Sequence, residues 1–161
     1  MTPEPPEYAG FWLRVWAGAI DVLIEVVGAL LFSVLVFYSM RWFIDPSYGL
    51  TDATAKYVSG IAAVAFLTIG AWLYCAFAES SSHRATLGKR IVGLQVVTAS
   101  GDKLSFGQAT VRHFMKFLSL FTAAVGFMMA GWTKRRQALH DMPSDCVVIR
   151  VPPERFSIMR R

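Results

Sequence analysis

The sequence has few charged residues and almost no cysteine. Charged side chains make up 17% of the 161 residues, whereas hydrophobic side chains make up 55%. A soluble domain needs a larger charged share to cover its surface, so this composition excludes an ordinary soluble protein and predicts an integral membrane protein. The two cysteines, Cys75 and Cys146, provide neither a disulfide framework nor a metal-ligand spacing, so we expect no metal or other cofactor.

Lysine and arginine are also missing from the segment before the first apolar run, MTPEPPEYAG, whose only charged residues are Glu4 and Glu7. A cleaved signal peptide begins with a basic segment, which is followed by a short apolar one. We therefore expect the first helix to be retained in the mature protein.

Two long apolar runs occupy residues 9–40 and 53–78. Each exceeds the roughly 20 residues that a spanning helix needs. Residues 44–52 between them have the composition of a turn. The second run is rich in small residues, which allow helices to approach closely in lipid. These features predict an antiparallel transmembrane hairpin.

The basic residues are distributed unevenly about this hairpin. Around the connector between the two runs, the positive charges of Arg41 and Lys56 are balanced by two aspartates. The segment 79–105 instead carries more basic than acidic side chains. The positive-inside rule therefore predicts that this segment, the N-terminal tail 1–8 and the C-terminal tail 133–161 lie in the cytoplasm. Basic blocks beside apolar runs suit an anionic membrane surface better than nucleic acid, so no nucleic-acid partner is expected.

A third apolar region, residues 106–132, leaves its topology open. It begins with the capping-box pattern of Ser105 and Gln108, and its first half is amphipathic, with phenylalanines opposite the polar face, as in interfacial helices. Its charge-free stretch is only about 17 residues, near the lower limit for a span. We favour a re-entrant hairpin, because basic residues flank the region on both sides; a spanning helix is the alternative.

Two short runs, Ile91–Val97 and Cys146–Val151, have the composition of strands and could pair as a small cytoplasmic sheet. The predicted fold is therefore a single α-helical membrane domain, residues 1–161. It contains a transmembrane hairpin, a third amphipathic region that re-enters or spans the membrane, and a small β-hairpin-like element.

Three charged residues, Arg14, Asp21 and Glu25, interrupt the first apolar run. Helical geometry places Arg14 and Asp21 within about 20° of each other, with Glu25 about one turn further on, so one face should carry all three. A charge near mid-bilayer costs at least about 2.5 kcal/mol, so this face should point into the protein. Two interpretations stay open: buried ion pairs that fix helix packing, and a polar pocket or ion path open to the cytoplasm.

The motif ATLGKR, residues 85–90, is similar to part of a phosphate-binding loop. However, the first glycine of that loop is missing, and Arg90 occupies the place of its hydroxyl residue. Nucleotide hydrolysis is therefore not expected. We interpret Gly88 as a residue that permits a tight turn into the following strand.

The pair His140–Asp141 lacks a second histidine at a metal-binding spacing. A capping or ion-pair role with Arg112, Arg135 or Arg14 is therefore favoured over a metal site. Since the sequence contains no pattern of a nucleophile with its base, we do not expect an enzyme.

Four ordered motifs carry a family resemblance: GFWLRVWAGAID, RATLGKRIVGLQVV, GDKLSFGQATVRHFMKFLS and RRQALHDMPSDCVVI. Over about residues 8–149 the sequence resembles the RDD family of small bacterial membrane proteins. That family is named for an arginine and an aspartate in the first helix and for a further aspartate, which correspond here to Arg14, Asp21 and Asp141. The resemblance implies a multi-pass protein of the bacterial cytoplasmic (inner) membrane, and cation/proton antiport has been suggested for the group. Glu25 is outside the family pattern.

Two functional hypotheses follow. The first is transport of a cation or small polar solute by a homo-oligomer, with these candidate residues: Arg14, Asp21, Glu25 and Asp141, supported by Arg112 and His140. The second is a non-transporting membrane scaffold that binds a partner protein, or anionic lipid headgroups through three basic residues: Lys134, Arg135 and Arg136.

The transport hypothesis assigns different roles to the two aspartates. Asp141 is expected to approach Arg14 at the cytoplasmic surface, whereas Asp21, about two turns deeper, is expected to lack a permanent partner and to be available to a cation or proton. On this hypothesis, replacing Arg14 or Asp141 by alanine lowers folded yield, because an uncompensated charge stays buried. Asp21→Asn would instead abolish transport and leave yield nearly intact.

Overall fold

The computed structural model describes residues 7–43, 51–122 and 125–151, and this part of the chain contains two helices long and apolar enough to cross a membrane. The first long helix is Phe11–Phe43 and the second is Asp52–Ser80. Both predicted spans are confirmed as helices, with ends shifted by at most three residues from the predicted 9–40 and 53–78. The predicted turn at 44–52 and parts of both tails lie mostly outside the described residues.

Most apolar side chains of the first long helix point outward. Leu23, Leu30 and Leu35 each expose between 61% and 65% of their surface. A continuous apolar surface of this kind is stable in lipid but not in water. The helix therefore has the surface of a membrane-embedded element.

The chain divides into two compact units, which we name the helical unit (Val22–Leu73) and the charged unit (the residues up to Asp21 and from Tyr74 onward). Within the helical unit, the rings of Phe32 and Phe66 stack with centroids 5.2 Å apart. A Cβ atom added to Gly28 would lie 3.3 Å from the Phe66 ring. The small residue thus permits close helix packing, as expected in lipid.

A two-stranded antiparallel sheet lies in the charged unit. Strand β1 is Leu94–Thr98 and strand β2 is Cys146–Arg150, in a register that pairs Leu94 with Arg150. The N-terminal segment lies along β2, because Ala9 N–H donates to the Val148 carbonyl and Arg150 N–H donates to the Glu7 carbonyl, both at 2.8 Å. The predicted strand pairing is confirmed.

Two details of the predicted sheet are wrong. The first predicted strand began at Ile91, whereas residues Leu87–Ile91 form a short helix and Gly93, with φ +76°, makes the turn into β1. Positive φ is easily adopted by glycine because it lacks a Cβ atom. The sheet is also not a hairpin, because the third apolar region lies between its strands in the sequence.

The third region contains an amphipathic helix, Phe106–Phe121, that begins with the predicted capping box. Ser105 Oγ accepts from Gln108 N–H, and the Gln108 side chain accepts from Ser105 N–H. Its polar face points into the protein and buries Arg112 and Ser119, whereas its phenylalanines are exposed: Phe106, Phe114, Phe117 and Phe121. This orientation is the reverse of that in a water-soluble protein and fits contact between the phenylalanines and lipid.

The chain turns sharply after this helix. The axis of the following segment, Val125–Gly131, makes an angle of 117° with that of Phe106–Phe121. A Cβ atom on Gly126 would lie 2.9 Å from Ser119 Cα, and the Gly126 carbonyl accepts from Leu139 N–H at 2.8 Å. The returning chain therefore packs closely against the amphipathic helix and brings Ala138, His140 and Asp141 to the charged unit's interior.

Candidate functional site

Arg14 lies at the start of the first long helix and binds the returning chain. Its Nη1 is 2.5 Å from Asp141 Oδ2, and its Nη2 donates to the carbonyl of Arg136 at 2.5 Å. Its Nε donates to the Ala9 carbonyl at 3.2 Å. The structure therefore makes the Arg14–Asp141 contact that the sequence predicts.

Asp141 also binds the amphipathic helix. Arg112 Nε donates to Asp141 Oδ1 at 2.8 Å, and Arg112 Nη1 donates to Glu79 Oε1 at 2.6 Å. Lys89 Nζ is also 2.6 Å from Glu79 Oε1. A continuous chain of ion pairs thus connects Arg14, through both carboxylates, to Lys89. Of the two arginines predicted to pair with Asp141 besides Arg14, Arg112 does so, whereas Arg135 is exposed.

Asp141 is held in its ionised form. Burial opposes ionisation, but the guanidinium groups of Arg112 and Arg14, together with the donating Ala138 N–H, hold the pKa of the Asp141 carboxyl well below its usual range. A carboxylate with these partners stabilises the folded state at neutral pH. That contribution decreases only as acid protonates the group.

His140 lies beside this carboxylate. Its Nδ1 is 3.2 Å from Ser119 Oγ, and its Nε2 is 3.5 Å from Asp141 Oδ1. Burial, with the positive charges of Arg112 and Lys116, lowers the pKa of His140 to about 3, so the ring is neutral at physiological pH. Serine, histidine and aspartate are the residue types of a hydrolase triad, but each is at most 5% exposed, so a substrate has no access to the hydroxyl here.

Asp21 is surrounded by three hydrogen-bond donors. Thr86 Oγ1 donates to its Oδ2 at 2.5 Å, and Gly88 N–H donates to its Oδ1 at 2.7 Å. The Tyr74 hydroxyl is 3.2 Å from Oδ1 and itself accepts from Leu87 N–H. The expectation that Asp21 lacks a permanent partner is therefore wrong. Tyr74 lies in the second long helix, 53 residues further along the chain, and Thr86 and Gly88 lie 65 and 67 residues further along, so helical geometry alone could not reveal these partners.

The ATLGKR motif binds a carboxylate of the protein itself. Backbone N–H groups at the start of a short helix and a threonine hydroxyl are donors suited to an anion. Here that anion is Asp21, so Thr86 does not cap its own helix. Lys89 Nζ lies 3.5 Å from Thr86 Oγ1 and thereby connects Asp21 to the chain of ion pairs.

Gly88 has a different role from the predicted one. It lies within the short helix Leu87–Ile91, and a Cβ atom on it would be 2.3 Å from the Ala17 carbonyl oxygen and 2.8 Å from Asp21 Cγ. Glycine is thus required for close approach to the first long helix. The turn into the strand belongs to Gly93 instead.

Six side chains form what we name the charge cluster: Arg14, Lys89, Arg112, Asp21, Glu79 and Asp141. Three are basic and three are acidic, so the cluster is neutral when all six are ionised. The three carboxylates are at most 7% exposed. Buried charge is stable only when it is paired or well hydrogen-bonded. Ion pairs join five of these side chains, and Asp21 is held by hydrogen bonds from Thr86, Gly88 and Tyr74.

Glu25 is not a member of the charge cluster. It belongs to the helical unit, where its side chain is partly buried and has an interaction of its own. Lys134 and Arg135 are exposed, and Arg136 contributes its carbonyl to Arg14. Among the residues that the structure describes, no group of His, Cys, Asp or Glu side chains has an arrangement that could hold a metal ion.

Three residues belong to the cluster or bind it without having been predicted: Glu79, Lys89 and Thr86. Glu79 carries a signal in the sequence, since a single acid at the end of an apolar run also needs a partner. Thr86 and Lys89 lie in a motif that is similar to a phosphate-binding loop, but the anion that this motif binds is an internal carboxylate.

We predict that Gly88→Ala destabilises the protein, because its Cβ atom would overlap the first long helix. Overpacking typically costs about 1–3 kcal/mol. Gly107→Ala is a matched control, since Gly107 is also helical and its added Cβ would come no closer than 3.9 Å to the atoms around it. Thermal unfolding in detergent, followed by tryptophan fluorescence, should show a lower Tm for Gly88→Ala alone. An equal decrease in Tm for both substitutions would contradict the close approach of Gly88 to the first long helix.

Comparison with known proteins identifies the family. Residues 8–145 match the RDD family, whose members are small bacterial membrane proteins. The uncharacterized protein YxaI of Bacillus subtilis (strain 168) is 29% identical over 139 residues, which cover 83% of this chain and 91% of the relative. No solved structure matches the chain. The match covers most of the sequence and includes Arg14, Asp21 and Asp141, so this membrane protein belongs to the RDD family.

Proposed function

We propose that the protein is a non-transporting membrane scaffold, in which the charge cluster holds the helix ends, the amphipathic helix and the small sheet together at the membrane surface. The scaffold presents the basic surface around residues 134–136 to anionic lipid or to a partner protein. The observation that carries this proposal is that the Asp21 carboxylate already has three hydrogen-bond partners: Thr86, Gly88 and Tyr74. A transport carboxylate must exchange its partners for a cation or proton.

The energetics of the cluster support a structural role. Removing one partner of a buried ion pair typically costs about 3–5 kcal/mol, because the remaining charge is uncompensated. Displacement of Asp21 from its three donors would similarly leave a buried hydroxyl and a backbone N–H without an acceptor. If Asp21 bound a cation transiently, each transport cycle would require the free energy of breaking these hydrogen bonds.

We further propose that the charge cluster lies at the cytoplasmic surface of the inner membrane and that the third region is re-entrant. Arg112, in the middle of the amphipathic helix, contacts Glu79, at the end of the second long helix, and Asp141. The middle of the amphipathic helix is thus at the level of a helix end rather than at mid-membrane. The sharp turn after Phe121 and the basic residues on both sides of the region also favour this topology.

Labelling of single introduced cysteines tests this topology. Asp145→Cys and Ala53→Cys place thiols at exposed positions on the two proposed sides of the membrane, and the wild-type chain, whose two cysteines are buried, is the blank. An impermeant maleimide should label Ala53→Cys in intact cells and Asp145→Cys only in inside-out vesicles. Labelling of Asp145→Cys in intact cells would establish a spanning third region and contradict the proposal.

Transport by way of Glu25 is the second candidate function. Glu25 is a partly buried carboxylate within a membrane-spanning segment, about 6 Å further along the helix axis than Asp21. Carboxylates at such positions often bind or relay cations. This candidate does not require Asp21 to leave its donors.

Flux measurements in proteoliposomes distinguish the two functions. With imposed sodium, potassium and proton gradients, we expect the wild-type protein to give the same flux as empty vesicles. Asp21→Asn should lower folded yield as strongly as Asp141→Asn does, whereas Asp102→Asn, at an exposed position, should not. Flux above background that Asp21→Asn abolishes with intact yield would contradict the scaffold. Flux that Glu25→Gln abolishes would support the second candidate.

A further inference from the structure

A groove of about 690 Å³ lies beside the charge cluster, in the charged unit. Its lining includes Phe11 and Trp12 at the start of the first long helix and Trp132 at the end of the third region. Arg136 and Arg150 also line it. The groove therefore combines aromatic residues with two arginines.

Arg136 is held in place by the charge cluster. Its backbone has φ +48°, a conformation that is unfavourable for a residue other than glycine and persists only where the surroundings impose it. Here Arg14 donates to the Arg136 carbonyl, and the Arg136 N–H donates to the Thr133 carbonyl at 2.9 Å, so both backbone polar groups of Arg136 are bound. A Cβ atom on Gly10 would lie 3.0 Å from Arg136 Nη1, so the absence of a side chain at Gly10 leaves room for the guanidinium.

Both guanidinium groups remain available to an anion. Arg150 Nη1 is 3.5 Å from Glu7 Oε1, but both side chains are more than half exposed, so this pair is weak. Arg136 Nη1 lies 3.5 Å from the Tyr8 carbonyl, at the limit of a hydrogen bond. With the Glu7 carboxylate counted, the groove has a net charge of +1.

The position of the groove indicates which anion is present there. The first spanning helix begins at Phe11, so the groove is at the level where lipid headgroups meet the acyl chains. Trp12 and Trp132 are 72% and 63% exposed, as is typical of tryptophans at a membrane interface. Arginine binds phosphate oxygens with two parallel hydrogen bonds.

We propose that this groove, which we name the arginine groove, binds one anionic phospholipid, with the phosphodiester at Arg136 and Arg150 and an acyl chain along Phe11, Trp12 and Trp132. The inference rests on the proposed scaffold function and specifies its lipid ligand. Arg14 acts as a positioning residue, since its hydrogen bond fixes the backbone that carries Arg136. The lipid-binding surface is thereby coupled to the charge cluster.

Tryptophan quenching by brominated lipids tests the proposal. The full chain is reconstituted in phosphatidylcholine vesicles that contain a minor fraction of brominated phosphatidylglycerol or, separately, the same fraction of brominated phosphatidylcholine. We expect stronger quenching by the anionic lipid, with an enrichment on the order of fivefold for each guanidinium. Arg136→Gln with Arg150→Gln should remove the excess quenching, whereas the charge-matched control, Lys56→Gln with Lys103→Gln at exposed positions away from the groove, should keep most of it.

Every other outcome overturns the proposal. Equal loss in both double variants would mean general attraction to a basic surface, and the absence of excess quenching in the wild type would mean no anionic lipid at the groove. If soluble glycerol phosphate removes the excess quenching by the anionic lipid, the ligand of the groove is a free phosphate compound rather than a lipid. If quenching shows no excess and light scattering shows a dimer, the occupant is a second copy of the chain.

A second variant keeps the test decisive if the double arginine variant does not fold. Gly10→Leu fills the groove beside Arg136 without a change of charge and should also remove the excess quenching. Persistence of the excess in folded Gly10→Leu would contradict a site in the groove. Ion flux tests the proposed absence of transport separately. The quenching result could therefore contradict the lipid site while the flux result still supports a protein that does not transport ions.

Discussion

The central physical constraint on this protein is the cost of burying charge next to a membrane. Arg112 is 3% exposed and Asp141 is fully buried, and neither could remain ionised there alone. Their pairing connects the amphipathic helix to the returning chain, and Arg14 and Glu79 extend the same pairing to both long helices. Apolar burial in the charged unit is centred on the small sheet, where Leu94, Val96 and Val148 are fully buried, whereas most large apolar side chains of the long helices are exposed. Complementary charge therefore connects the helix ends and the amphipathic helix beside that apolar core.

Small residues are as necessary to this assembly as the charges. Gly88 allows a backbone N–H to reach the carboxylate of Asp21, and Gly126 allows the returning chain to pack against Ser119. The same requirement is met just before the first long helix, where the space at Gly10 admits the guanidinium of Arg136. Close backbone approach shortens the distances over which the charges interact, which strengthens pairing in a low dielectric.

The sequence predicts the parts of this structure that depend on local pattern. Apolar runs locate both long helices, Ser105 and Gln108 locate the start of the amphipathic helix, and β-branched residues locate the two strands. The partner of Arg14 was also predictable, since its motif and that of Asp141 lie at the same proposed membrane surface. The donors to Asp21 were not, because Thr86 and Gly88 approach it only through the packing of a distant loop. The sequence places Glu79 at the start of the predicted cytoplasmic segment 79–105, although its burial requires a partner in the same way as that of Asp21.

The most direct test of the account is the coupling between Arg112 and Glu79. The free energy of unfolding of the wild type, Arg112→Gln, Glu79→Gln and the double variant can be measured in mixed micelles titrated with dodecyl sulfate. If the charge cluster is a set of mutually compensating buried ions, each single substitution leaves a charge unpaired and the double substitution restores balance at that contact. The account predicts that the double variant is more stable than the sum of the single effects by about 1–3 kcal/mol. Additive effects, within about 0.5 kcal/mol, would contradict it.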